Sequence, residues 1–326
     1  MIKNIYGLLL LVFLYSCRGS ITDNDQTQVV DPTPVPVTLT LHLNRNMPDS
    51  LSGKDHNLLI RYFNLRYIVD VYAESGSQKG QRIKRILEVQ KSAIEQHNEC
   101  FVEMDLPPAT YSFRVWCDFV LPETTTDYLF VTDNLSEIHY KNSYAGEHAG
   151  KEAYSANETL IVPAGSMSLT KTINLQNAFG RVRIISTDLQ QFMESKGVPL
   201  QDLVVKASYK GYAPAGFSVP LQFAPAQFLV TGLGFQGRLS YLTEQEAQVT
   251  WDNIFVCQDE TILFMDLLIY NQASVLISQV SNLRIPLYRN TLTLLKGKYL
   301  TRPAGDGGDI GIDDKFEDEI VVEIPD

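Results

Sequence analysis

Runs in which apolar and polar residues alternate recur along most of this chain, and that period of two limits its fold more than any other feature. Val37, Leu39, Leu41 and Leu43 alternate with Thr38, Thr40 and His42. Cys100, Val102, Met104 and Leu106 alternate with Glu99, Glu103 and Asp105, and Tyr111, Phe113, Val115 and Cys117 continue the theme. Alternation puts one set of side chains on each face of a strand, the mark of a strand buried on one side. Leu65–Tyr72 and Arg82–Val89 read as partner strands across a loop marked by Gly76 and Gly80. Further strands are expected over 128–131, 159–162, 168–175, 181–186, 204–209, 228–231, 247–256, 261–270, 275–280, 284–288, 290–300 and 319–324. Residues 141–157 read as a long polar loop, and 188–196 as one short helix capped by Thr187 or Asp188. Many short strands and almost no helical period predict an all-β protein of two tandem β-sandwiches. The expected division is 37–178 for the N-terminal sandwich and 179–326 for the C-terminal one, with Asn177-Ala-Phe-Gly180 as the break.

Pro107-Pro-Ala-Thr110, between two alternating runs, predicts a hairpin with Leu106 opposite Tyr111. Cys100 would then face Cys117, as a disulfide or, more in keeping with the count, as two buried thiols. Besides Cys17 the chain has Cys100, Cys117 and Cys257, and an odd number argues against a disulfide scaffold.

The N-terminus addresses the compartment. Residues 1–16 combine Lys3 with an apolar run from Gly7 to Leu14, too short for a bilayer-spanning helix of ~20 residues. The run ends in Leu14-Tyr-Ser-Cys17, which resembles a bacterial lipobox. That resemblance implies removal of 1–16 as a signal peptide and lipidation of Cys17, with palmitate among the acyl chains. Several acyl chains anchor firmly, at about 0.8 kcal/mol per buried CH₂. Arg18 at the next position favours the outer membrane by the same resemblance. Residues 17–36, polar and then punctuated by Pro32, Pro34 and Pro36, read as the lipidated Cys and a flexible tether.

The formal net charge of −11 leaves no basic face for phosphate, so a nucleic-acid partner is not expected. Nor does the chain carry the chemistry of an enzyme. G-x-S-x-G, the P-loop and H-E-x-x-H are absent, and no nucleophile–base pair can be assembled from the sequence. No catalytic residue, cofactor or metal site is expected. Glu147-His148 is a weak metal pair and reads as two polar residues on a surface loop, and the carboxylates of 306–314 lack the spacing of an EF-hand and read as a solvated turn. Trp116 and Trp251 lie in strand-like runs and read as packing residues.

Several segments together resemble the fimbrillin-type lipoproteins of the Bacteroidales, the type V pilus subunits and anchors. They are the Cys17 lipobox with its tether; Tyr67-Ile-Val-Asp-Val-Tyr72 with the run Leu106–Asp118; and Phe179-Gly-Arg-Val-Arg-Ile184 with the ending Ile285–Gly297 and 310–324. The resemblance implies two transthyretin-like sandwiches and assembly by strand exchange. A protease cuts after a basic residue, here Arg45, to release the first strand, and a neighbour's strand fills the groove. The candidate donor is 319–324, with Ile320, Val322 and Ile324 on one face. The implied partners are other fimbrial subunits, the outer membrane through the lipid on Cys17, and a host or bacterial surface ligand. The alternatives are a lipid-retained anchor or accessory subunit, and a glycan-binding surface lipoprotein with an aromatic platform around Tyr144 and Tyr154.

Overall fold

A computed structural model of the chain describes residues 33–44, 63–91, 99–258, 260–302 and the backbone of 319–323. The N-terminal half contains β1 (Val35–Leu43), β2 (Asn64–Ala73), β3 (Arg82–Gln90), β4 (Glu99–Leu106), β5 (Ala109–Val120), β6 (Phe130–Val131), β7 (Ile138–Tyr140), β8 (Ala153–Val162) and β9 (Leu169–Asn177). Seven of these follow one another in the order β3-β2-β5-β8-β9-β1-β4. Strands β8 and β9 pair only at Tyr154↔Asn177 and Ser155↔Gln176, so the row folds over there into two layers. One core holds the inward residues of both layers, among them Leu39 and Leu41 from β1, Tyr67 and Val69 from β2, and Phe113 and Val115 from β5.

The C-terminal half begins one residue after β9. It comprises β10 (Phe179–Ser186), helix α1 (Leu189–Lys196), β11 (Leu203–Lys210), β12 (Tyr212–Pro214), β13 (Gly216–Phe217), β14 (Leu229–Thr231), β15 (Gly234–Arg238), β16 (Ser240–Tyr241), β17 (Ala247–Phe255), β18 (Glu260–Asn271), β19 (Leu276–Tyr288), β20 (Leu292–Gly297) and β21 (Glu319–Glu323). A sheet ordered β16-β17-β10-β20-β21 packs against one ordered β15-β11-β18-β19 around a second core, into which α1 inserts Leu189 and Phe192. The helix stops at Gly197, whose φ of 61° is the left-handed conformation that glycine adopts without a side-chain clash. Asp188 precedes the helix without capping it. Its carboxylate instead accepts the Thr301 N–H at 2.8 Å and the Thr301 hydroxyl at 2.7 Å.

The halves repeat one plan. β1 lies between antiparallel β4 and parallel β9, and β10 lies between antiparallel β17 and parallel β20. A third apolar cluster joins the halves, with Trp116, Phe130 and Ile138 from one side and Phe179, Phe217 and Phe255 from the other. The rings of Phe179 and Phe255 stack at 4.2 Å. Across this junction β13 pairs with β7. Gly216 permits it, because a Cβ there would come 2.6 Å from the Ile138 carbonyl oxygen.

The all-β sandwich architecture agrees with the alternating pattern, but one connection differs from expectation. β4 and β5 do not pair as a hairpin. β4 pairs with β1, and β5 pairs with β2 and β8. Pro107-Pro108 is therefore an arch from one layer to the other. Two prolines supply no N–H donors and hold extended backbone, which suits a crossing between layers better than a tight turn. The Tyr111 hydroxyl braces the arch by donating to the Pro107 carbonyl at 2.8 Å. Cys100 and Cys117 are consequently not cross-strand neighbours; both are buried, and neither is in a disulfide. Residues 153–157 correct a second expectation, for they open β8 rather than close a loop. Ala153, Tyr154, Ser155 and Ala156 are all buried, so no alternation marks them. The two expected strands at 275–280 and 284–288 are one, β19. Trp116 is fully buried and Trp251 nearly so.

Burial pushes the Cys100 thiol up to about 11, with Glu88 adding to the effect. Cys100 and Cys117 should therefore resist a thiol reagent in the native protein and react once denaturant opens the N-terminal core. Native reactivity at both, measured by mass after alkylation, would contradict this packing.

Candidate functional site

Strand β1 begins inside the proline-rich segment, since Val35 and Pro36, expected in the tether, already pair with β4, and it occupies an interior place in its layer. Val35, Val37, Leu39, Leu41 and Leu43 are each 2% exposed or less. Pro36 is exposed, and Thr38, Thr40 and His42 are half-buried on the other face. Its backbone pairs with β4 from Val35↔Leu106 to His42↔Glu99, and with β9 from Val37↔Leu169 to Leu43↔Leu175. The Asn44 N–H extends the second ladder to the Leu175 carbonyl at 3.0 Å. Among the described residues β4 has no other sheet partner. Loss of β1 would thus open five adjoining apolar pockets, each worth about 1.5–3 kcal/mol when a Val or Leu fills it. It would also strip β4 of its whole ladder.

Strand β21 is held differently. It lies at the edge of its sheet and pairs with β20 alone, from Lys296↔Glu319 to Leu292↔Glu323. Ile320 is in register with Leu295, and Val322 with Thr293. Ile324 lies outside the described residues, as do Cys17, Arg45 and the acidic segment 306–314.

Glu147 and His148 do not share a ligand geometry. The Glu147 carboxylate accepts the Arg238 N–H at 3.2 Å, and His148 Nε2 lies 3.4 Å from the Tyr128 hydroxyl. Burial, with the Lys151 charge, holds His148 below the usual imidazole range. Among the described residues no three His, Cys, Asp or Glu side chains converge as metal ligands. The proposed aromatic platform is also absent, because Tyr154 is buried and the Tyr144 ring packs within 5.1 Å of Tyr140 and 6.1 Å of Tyr209. Tyr144 is folded onto the core of the C-terminal half, and Tyr154, on β8, packs into the core of the N-terminal half.

The junction carries polar groups that sequence reading missed. Arg66 grips Asp118 in a bidentate pair at 2.9 and 2.7 Å within the N-terminal half. Between the halves, Arg181 pairs with Glu152 and donates to Asn253 at 2.8 Å. Arg289 donates to the Asn177 carbonyl at 3.0 Å and to the Ser155 hydroxyl at 2.9 Å. Beside it lies an open groove of about 360 Å³ lined by Gln176, Gln222, Gln258 and Tyr288. Lys151 of the first half meets Asp252 of the second at 2.7 Å. One sequence signal could have flagged this meeting. Asp252 interrupts the otherwise strand-like run Val249–Phe255, and a carboxylate in a strand buried on both faces needs a partner.

The geometry defines a two-layer β protein in which the first strand of the described chain completes a sheet. The chain belongs to a family of unknown function, DUF6562, whose model matches residues 26–325. No curated protein matches it. Among solved structures it is similar to a candidate adhesin from Bacteroides thetaiotaomicron, at 10% identity and a TM-score of 0.47, covering 82% of this chain and 94% of that one. It is also similar to the fimbrial anchor protein Mfa2 from Porphyromonas gingivalis, at 9% identity and a TM-score of 0.43, covering 81% and 90%. A third is a candidate polysaccharide-binding protein from Bacteroides thetaiotaomicron, at 10% identity and a TM-score of 0.46, covering 80% and 90%.

Leu39→Ala should cost the N-terminal half about 2–5 kcal/mol, whereas Thr38→Ala on the half-buried face should cost ~0.5 kcal/mol or less. Urea unfolding followed through fluorescence tests the contrast, and equal losses would show that β1 is not seated as described.

Proposed function

We propose that the protein is a cell-surface lipoprotein, held at the outer membrane through Cys17, that serves as a fimbrial subunit in adhesion and assembles by strand exchange. The observation that carries the reading is the seat of β1. It is a strand at one end of the described fold, it presents five apolar residues to one core, and it lies between two strands that would both need a replacement. β10 holds the equivalent place in the second half, but β9 precedes it by a single residue, so it cannot leave without tearing the junction. Of the two strands only β1 can be removed by one cut, and Arg45 lies two residues past its end. We take 37–178 and 179–326 as the two working units of such a subunit, and the role as non-catalytic.

β21 is the proposed donor because an edge strand with one ladder leaves its place more readily than an interior one. Ile320, Val322 and Ile324 alternate at the spacing that pockets of a vacated β1 groove require. They match three of its five apolar positions. The second reading, a lipid-retained anchor that keeps β1, rests on the complete ladders that β1 makes in the uncut chain.

Intact mass and N-terminal sequence of the protein taken from its own cell surface separate the two. A start at Asn46 without lipid is the expected result for the subunit; a lipidated start at Cys17 would leave the anchor. In addition, a chain beginning at Asn46 should bind a synthetic peptide of residues 33–44, with a rise in its melting temperature, and a peptide carrying Leu39→Asp and Leu41→Asp should not bind. A peptide of residues 315–326 should compete for the same groove. Failure to compete while the 33–44 peptide binds would remove the C-terminus as donor.

A further inference from the structure

Lys151 and Asp252 take no part in strand exchange, yet they are the most enclosed charged pair in the described structure, each 0% exposed. Lys151 ends the short 3-10 turn Ala149–Lys151, and Asp252 lies in β17 of the other half. Lys151 Nζ is 2.7 Å from Oδ1 of Asp252. Oδ1 also accepts the Asn253 N–H at 2.8 Å. The other carboxyl oxygen, Oδ2, accepts the Tyr209 hydroxyl at 2.8 Å and the Tyr144 hydroxyl as well. The rings of Tyr144 and Tyr140, 3.8 and 5.2 Å from Nζ, wall the amine off from water.

We propose that Lys151 and Asp252 condense into an intramolecular amide bond that staples the two halves together. The arrangement supplies what the condensation needs. A proton passes from Nζ to Oδ1 within the pair, giving an amine and a carboxylic acid with no change in net charge. The amine lone pair then attacks Cγ, and a C–N bond forms. Negative charge gathers on Oδ2, where the Tyr144 and Tyr209 hydroxyls already point as donors. A second proton moves from the nitrogen to Oδ1, the Cγ–Oδ1 bond breaks, and one water leaves. The product is a neutral secondary amide, and no oxidant, metal or nucleotide is consumed.

Two physical terms favour the step. A buried ion pair keeps a desolvation penalty that its attraction offsets poorly, and a neutral amide removes both charges. Fixing the groups in contact makes the reaction intramolecular, which replaces the entropy cost of an encounter. Burial also pulls the Lys151 ammonium below the usual lysine range against the opposing Asp252 charge, which makes the neutral amine more accessible.

The test is a tryptic peptide map of the full-length protein after denaturation, read by mass spectrometry. The expected result is a branched peptide joining the segment that contains Lys151 to the one that contains Asp252, lighter than their sum by one water and uncut after Lys151. Recovery of the two unlinked peptides, with cleavage after Lys151, would overturn the proposal. Lys151→Met should abolish the branched species and slow the migration of the boiled chain on a denaturing gel, because the loop between the two halves is then open. A loss of water from the Asp252 peptide that persists in Lys151→Met would place the modification elsewhere and sink the assignment. If that variant does not fold, the wild-type map alone decides.

Discussion

Everything in the N-terminal half depends on β1 filling the gap between β4 and β9. A sheet cannot leave two interior strand edges unpaired, because each buried N–H and C=O without a partner carries a desolvation cost. β4 is the sharper case, since β1 is its one ladder among the described residues and the Pro-Pro arch is its link to the opposite layer. The five apolar side chains of β1 and its two backbone ladders therefore act together. A strand that replaces it has to satisfy both, which is why composition alone does not define a donor: register and direction must match as well.

The second constraint is the junction. The halves do not meet at a bare apolar face. Phe179, Phe217 and Phe255 pack against Trp116 and Phe130, and the rim of that cluster is crossed by Arg181–Glu152, Arg289 and Lys151–Asp252. The Arg289 guanidinium spends its donors on the Asn177, Gln222 and Gln176 carbonyls and the Ser155 hydroxyl, all neutral acceptors. Charged side chains of this kind fix one relative placement of the packed surfaces, since a small slip leaves a buried charge without its partner. The apolar cluster supplies attraction without direction, and the polar rim supplies direction.

Much of the fold was legible because half-buried strands announce themselves. β1 alternates in sequence, β4 does so except at the exposed Phe101, and the burial of both alternates. The sequence pattern puts β3 beside β2, and the register Leu65↔Gln90 to Tyr72↔Arg82 agrees. The differences from expectation have two causes. Where both faces of a strand are covered, period two disappears, as in the start of β8. Where two alternating runs are close in sequence, proximity suggests a hairpin, but pairing is decided by which edges remain free after the layers stack. Cys100 and Cys117 show the consequence: both are core residues, but the strands that carry them pair with other strands. The polar loop around Tyr144 and Lys151 was opaque for a related reason. Its aromatic and charged residues find their partners about a hundred positions away, on β17.

The sequence by itself determined the period of the half-buried strands, the side of each of these that faces a core, and the acidic balance of charge. These are local properties, set by spacing and by composition. Only the tertiary structure decided that β1 lies between β4 and β9 rather than at an edge, that Pro107-Pro108 spans two layers, and that Lys151 meets Asp252 across the junction. Each of these joins residues far apart in the chain, and their energies are those of burial and of buried charge. Such energies come into being only when the layers close and water leaves, so no short window of residues can carry them.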